Sequence, residues 1–100
     1  MMNLNVHPVH FTADSKLIQL VGEKTNKLQE INDKITDVDV YLKLENTSEN
    51  IKDKVVEIKL NVMKKSLFVK EVSKTFEGAL EMALTSMVEQ VKKTKSRKRA

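Results

Sequence analysis

Six of the 18 Lys and Arg residues crowd into the last ten positions, as Lys92, Lys93, Lys95, Arg97, Lys98 and Arg99, and no acid interrupts them. Clustered cations release counterions from a phosphate chain, so the chemistry they offer is non-covalent docking on a polyanion. Without them, 12 basic residues face 14 acidic ones, a formal −2 within a total of +4. A helix dipole accounts for part of this gradient, because Glu77 and Glu81 precede Lys92, Lys93 and Lys95 in one periodic segment. That effect ends with the last turn and does not explain Arg97, Lys98 and Arg99. A solubilising tail is the competing reading for those three, and the run Ser96–Arg99 also imitates a short import signal.

Other reactive constellations are weak. His7 and His10 are the only histidines and have no evident third ligand, so neither a metal nor a cofactor is expected. Asp37 and Asp39 share one strand face, where acid–base work would need a pocket and shifted pKa values. The only glycines, Gly22 and Gly78, sit inside helical patterns, so there is no phosphate loop and no serine elbow. The absence of Cys excludes disulfides and thiolate sites. No apolar run is long enough to cross a bilayer, and Met1–Val9 lacks a secretory pattern. These features point to a non-enzymatic cytoplasmic protein with no membrane partner and no small-molecule substrate.

The elements that must carry the cations follow from apolar periodicity. Leu4 and Val6 mark a short strand ended by Pro8. Thr12 or Asp14 caps a helix of about four turns, with Leu17, Leu20, Val21, Leu28 and Ile31 on its buried side. Val38, Val40, Leu42 and Leu44 alternate with polar residues in a second strand, and Asn46–Lys54 reads as a loop. Val56, Ile58, Leu60 and Val62 give a third strand, then Lys64, Lys65 and Ser66 a tight connection. Leu67–Val72 is a fourth strand whose inward side is either Leu67 and Val69 or Phe68 and Val72. Ser73 or Thr75 opens the last helix, buried along Phe76, Ala79, Leu80, Ala83, Met87, Val88 and Val91. The predicted fold is an α+β, β-α-β-β-β-α two-layer sandwich, with both helices on one face of a four-stranded sheet. Residues 1–95 are expected to form one domain and 96–100 a mobile basic tail. Helices lying side by side would bring Lys24 and Lys27 towards the basic end of the last helix, edging a groove suited to a phosphate backbone. Aromatic residues make up 4% of the chain, too few for stacking on single strands, so recognition should run through phosphates and shape.

Several segments, in order, resemble the short hibernation promoting factor and ribosome-associated inhibitor family, also called ribosomal subunit interface proteins. They are Asn3-Leu-Asn-Val6, Lys24-x-x-Lys27-Leu28, Val38-x-Val-Tyr-Leu-Lys-Leu-Glu45, Val56-Glu-Ile-Lys-Leu-Asn-Val62, Ala79-Leu80-Glu81 and Gln90-Val91-x-Lys93-x-Lys95. The resemblance implies a fold similar to a double-stranded-RNA-binding domain. It implies binding between head and body of the small ribosomal subunit, on ribosomal RNA, in the channel of messenger and transfer RNA. Ribosomes would thereby be held inactive under stress, by a protein that is a monomer when free. By resemblance the RNA contacts are Lys24, Lys27, Lys93 and Lys95, with Lys92 and Arg97 beside them; on charge alone, Lys98 and Arg99 would neutralise phosphates as well. The family's usual Lys and Arg are Ser86 and Glu89 here. Two alternatives are a general binder of structured RNA and a protein-interaction module modulating an alternative sigma factor. The latter would use the exposed sheet face, with Tyr41, Lys43, Lys59 and Phe68.

Overall fold

Alternating valine and leucine determine the layer on which everything else rests. The computed structural model describes residues 2–46 and 52–97, with side chains described for 2–45 and 53–94. The element order is β1 (Asn3–Pro8), α1 (Ser15–Thr25), α2 (Lys27–Ile31), β2 (Ile35–Asn46), β3 (Lys52–Val62), β4 (Lys65–Ser73) and α3 (Phe76–Arg97). The strands form one sheet in the order β1-β2-β3-β4, with β1 parallel to β2 and the other pairs antiparallel. The register aligns Leu4, Val38, Leu60 and Leu67 in one row and Val6, Val40, Ile58 and Val69 in the next. This inner face and the stripes of all three helices, including Val21, Leu28, Leu80, Met87 and Val91, make one core cluster. The predicted α+β sandwich is the observed one.

Local chemistry sets the ends. Asp14 rather than Thr12 caps α1, its Oδ1 accepting from Leu17 N–H at 2.8 Å. Thr75 rather than Ser73 caps α3, its Oγ1 accepting from Gly78 N–H at 3.0 Å. The single first helix expected from periodicity is two pieces, α1 and α2, separated at Asn26. The Thr25 hydroxyl donates back to the carbonyls of Val21 at 2.7 Å and Gly22 at 3.3 Å, a contact that competes with regular winding.

Three strand boundaries differ from the periodic reading. Asn46 ends β2 and Lys52–Lys54 begin β3, so much of the expected loop is ladder; residues 47–51 lie outside the described residues. Backbone groups make a ladder, and Lys52, Asp53 and Lys54 extend it at the sheet's end despite their polarity. Lys65 and Ser66 already belong to β4, because the connection is only Met63 and Lys64. Both have positive φ, 52° and 67°, as a two-residue type I′ hairpin requires. Neither is Gly or Asn, so the turn costs about 1 kcal/mol or more per residue. Leu67 and Val69 face the core, whereas Phe68 is 54% exposed. The boundary expected at residue 95 falls inside α3, whose backbone is helical to Arg97.

The two glycines differ in their surroundings. A Cβ on Gly22 would meet only Leu4 Cδ2, at 3.9 Å, whereas one on Gly78 would stand 2.7 Å from Ser73 Oγ and 3.1 Å from the capping Thr75 Oγ1. Gly22→Ala is therefore expected to raise unfolding stability by about 0.5–1 kcal/mol, through helix propensity. Gly78→Ala should yield none of that gain, because it crowds the cap. Urea denaturation of the two variants compares them directly.

Candidate nucleic-acid interface

The cations on the helical layer are positioned by how α1–α2 and α3 run beside each other. Phe11, just before α1, stacks on Phe76 at the start of α3, with ring centroids 5.4 Å apart and planes 9° apart. Further along, Lys24 of α1 pairs with Glu81 of α3. Further still, Lys27 and Leu28 line a cleft of 180 Å³ with Lys24, Glu81, Leu84, Thr85 and Val88. The order of these contacts makes the helices parallel, so the ends of α1–α2 and α3 point the same way.

Lys27 is exposed at the cleft's rim. Lys92 is exposed one turn beyond Val88, on the same flank of α3. Lys93 is exposed too, but the next 100° of rotation carries it to the other flank, with Ser86 and Gln90. Among the described residues, none of these three has an ion-pair partner. Positions 95 and 97 continue α3 as backbone, and Lys98 and Arg99 lie outside the described residues. The structure thus brings Lys24 and Lys27 to one cleft, sets Lys92 one turn beyond it on the same side of α3, and turns Lys93 about 100° away from Lys92.

Lys24 differs from the others because it is already neutralised. Its ammonium is held above its ordinary value of 10.5, first by the hydrogen bond to Glu81, against the burial that would lower it, then by the charges of Glu81, Glu77 and Glu23. Glu81 is correspondingly held below its ordinary value of 4.5, first by that hydrogen bond and by the Lys24 charge, with Lys27 adding to it. Glu89 is exposed and opposite the buried Met87 and Val91, outside the cleft. The carboxylate that matters in the cleft is Glu81. No sequence signal links it to Lys24, 57 positions away.

The sheet's outer face is paired in part. His7 Nε2 lies 2.9 Å from Asp39 Oδ1, and its ring stacks on Tyr41 at 4.7 Å. Lys43 reaches Glu57 at 3.1 Å. Among the described residues there is no cluster of His and acids able to hold a metal, and no helix is long and apolar enough to cross a membrane.

The family model described as sigma 54 modulation protein / S30EA ribosomal protein matches residues 4–99. The chain belongs to this family. Two solved structures show the same fold. One is a ribosomal subunit interface protein from Coxiella burnetii, with TM-score 0.84 and 14% identity over 95% of this chain and 99% of that one. The other is the N-terminal domain of Thermus thermophilus Protein Y, with TM-score 0.78 and 18% identity over 93% and 99%. No curated protein sequence matches. The sequence motifs thus pointed to the right family, and the family carries a general ribosome-associated role.

The Lys24–Glu81 pair has a defined pH window. Glu81 is depressed in the folded state, so its contribution is in place above its ordinary value and is lost as pH falls through the folded one. Lys24 is raised, so its contribution is in place below 10.5 and is lost as pH rises past that. Side-chain NMR titration should find Glu81 ionising below an ordinary glutamate. Lys24→Ala should return it to the ordinary range, and Lys27→Ala should move it the same way by less.

Proposed function

We propose that this protein docks on the folded RNA of the small ribosomal subunit, between head and body, and blocks the path of messenger and transfer RNA, holding ribosomes inactive under stress. The observation that carries this reading is the set of exposed, unpaired cations Lys27, Lys92 and Lys93 on parallel helices, in a chain whose family is ribosome-associated. Lys24 joins them once phosphate competes with Glu81. Lys95, Arg97, Lys98 and Arg99 extend the charge along and beyond α3. The sheet and core supply rigidity, so docking orders the lysine side chains without also having to order the backbone that carries them. In this reading the protein is a cytoplasmic monomer when free, performs no reaction and needs no cofactor.

A general structured-RNA binder would use the same cations without preferring the ribosome. A protein-partner role would use the outer sheet face, but His7 with Asp39 and Lys43 with Glu57 already satisfy much of that face internally.

With about six phosphate contacts, log affinity for ribosomes should fall with log salt at a slope of about −4 to −5. Co-sedimentation with ribosomes at several salt concentrations measures it, and a flat response would rule the reading out. Ribosomes should also retain the protein in the presence of excess duplex RNA; loss to the duplex would favour the general binder.

A further inference from the structure

The β3–β4 turn carries two lysines, Lys64 and Lys65, to the same end of the molecule as the basic half of α3. Gly78 lies against Ser73, so α3 starts at the far end of β4 and returns along it. From Gly78 to Lys93 the helix advances about 22 Å. From Ser73 back to Lys65 the strand covers about 26 Å. The two lysines therefore stand at nearly the same level. Thr94 is still buried there, so α3 remains packed on the sheet at that level. Lys65 pairs with Val62 and shares its helix-facing side, whereas Lys93 occupies the α3 flank that overhangs β4, the edge strand.

This flank gathers cations that no acid pairs among the described residues. Lys64, Lys65 and Lys93 are all exposed, and none has an ion-pair partner among the described residues. Glu71 is near the other end of β4 and Asp37 lies two strands away on the opposite sheet face; Glu89, one turn before Lys93, is the nearest acid on α3 and makes no ion pair with it. The neighbouring α2–β2 cleft is different, because Glu30 and Asp33 line it with Lys34. Lys64 also stands at φ 67°, where Gly or Asn fits best, so the turn carries a cation despite the backbone preference.

We propose that Lys64, Lys65 and Lys93 form a second phosphate-binding row on the β4 flank of α3. Resting on the RNA-docking function above, this makes the C-terminal half of α3 a ridge gripped on both sides. Lys24, Lys27 and Lys92 take one stretch of RNA backbone, and the turn lysines with Lys93 take another. A helix with its side chains is about 10–12 Å across, which sets the separation of the two rows.

The test compares two variants that lose equal charge, K64Q/K65Q and K59Q/K70Q, the second pair lying on the outer sheet face. Ribosome co-sedimentation against salt should show the slope shallower by about 1.4–1.8 for K64Q/K65Q and unchanged for K59Q/K70Q. An unchanged slope for K64Q/K65Q, or equal losses in both variants, overturns the second row while leaving the parent's steep response, and the docking function, intact. A parent without salt dependence overturns the docking function itself. On the unaltered chain, bound ribosomes should slow acylation of Lys64, Lys65 and Lys93 but not of Lys59 and Lys70. Equal modification of Lys64 and Lys65 in the free and bound states overturns the proposal whether or not the variants fold.

Discussion

Four strands bury the same face, and both helical segments must cover it. The rows Leu4–Val38–Leu60–Leu67 and Val6–Val40–Ile58–Val69 leave one continuous apolar surface, which only helices with apolar stripes can keep from water. Two helices on one such surface lie side by side, about 8–10 Å apart. The seam between them then becomes the place where charges from distant parts of the sequence meet. Lys24 and Glu81 are partners because Val21, Leu28, Leu80 and Ala83 are all buried in the same layer.

That seam has an electrostatic direction. Glu77 and Glu81 lie along the first half of α3, where they hold Lys24. Past Val88 the same flank carries Lys92, which makes no ion pair among the described residues. The helix dipole favours this order, negative at the start and positive at the end. Positive potential is consequently concentrated at one end of the helical layer, where it can act on a polyanion, and is cancelled at the other. The outer sheet face shows the opposite arrangement, with His7 on Asp39 and Lys43 on Glu57. The molecule thus has one face on which some polar groups are paired from within and one whose cations await an external partner.

Local conformational costs sit at the same end. The Met63–Lys64 turn adopts left-handed backbone at two residues that gain nothing from it locally. Met63 recovers part of the cost by packing against the core, but Lys64 does not. A hairpin that closes in two residues also keeps Lys65 inside β4, beside α3, rather than in a loose loop.

By itself the sequence determined the element types, the sheet's buried face, the family and the basic character of the C-terminal segment, because period-two and helical spacing are local properties that burial enforces. It also limited the choice of caps to neighbouring residues, Thr12 or Asp14 and Ser73 or Thr75. It could not divide the first helix at Asn26, because Thr25 bonding back to Val21 is a matter of geometry, not of apolar pattern. Nor could it orient β4, where both alternations are apolar and only pairing with Ile58 and Leu60 chose Val69 and Leu67. The pairing of Lys24 with Glu81, the turning of Lys92 towards α1 and of Lys93 towards β4, and the approach of Lys65 to α3 were decided by tertiary structure alone. Each joins residues on different elements or depends on the helix's rotation against the sheet, and no spacing along the chain encodes either.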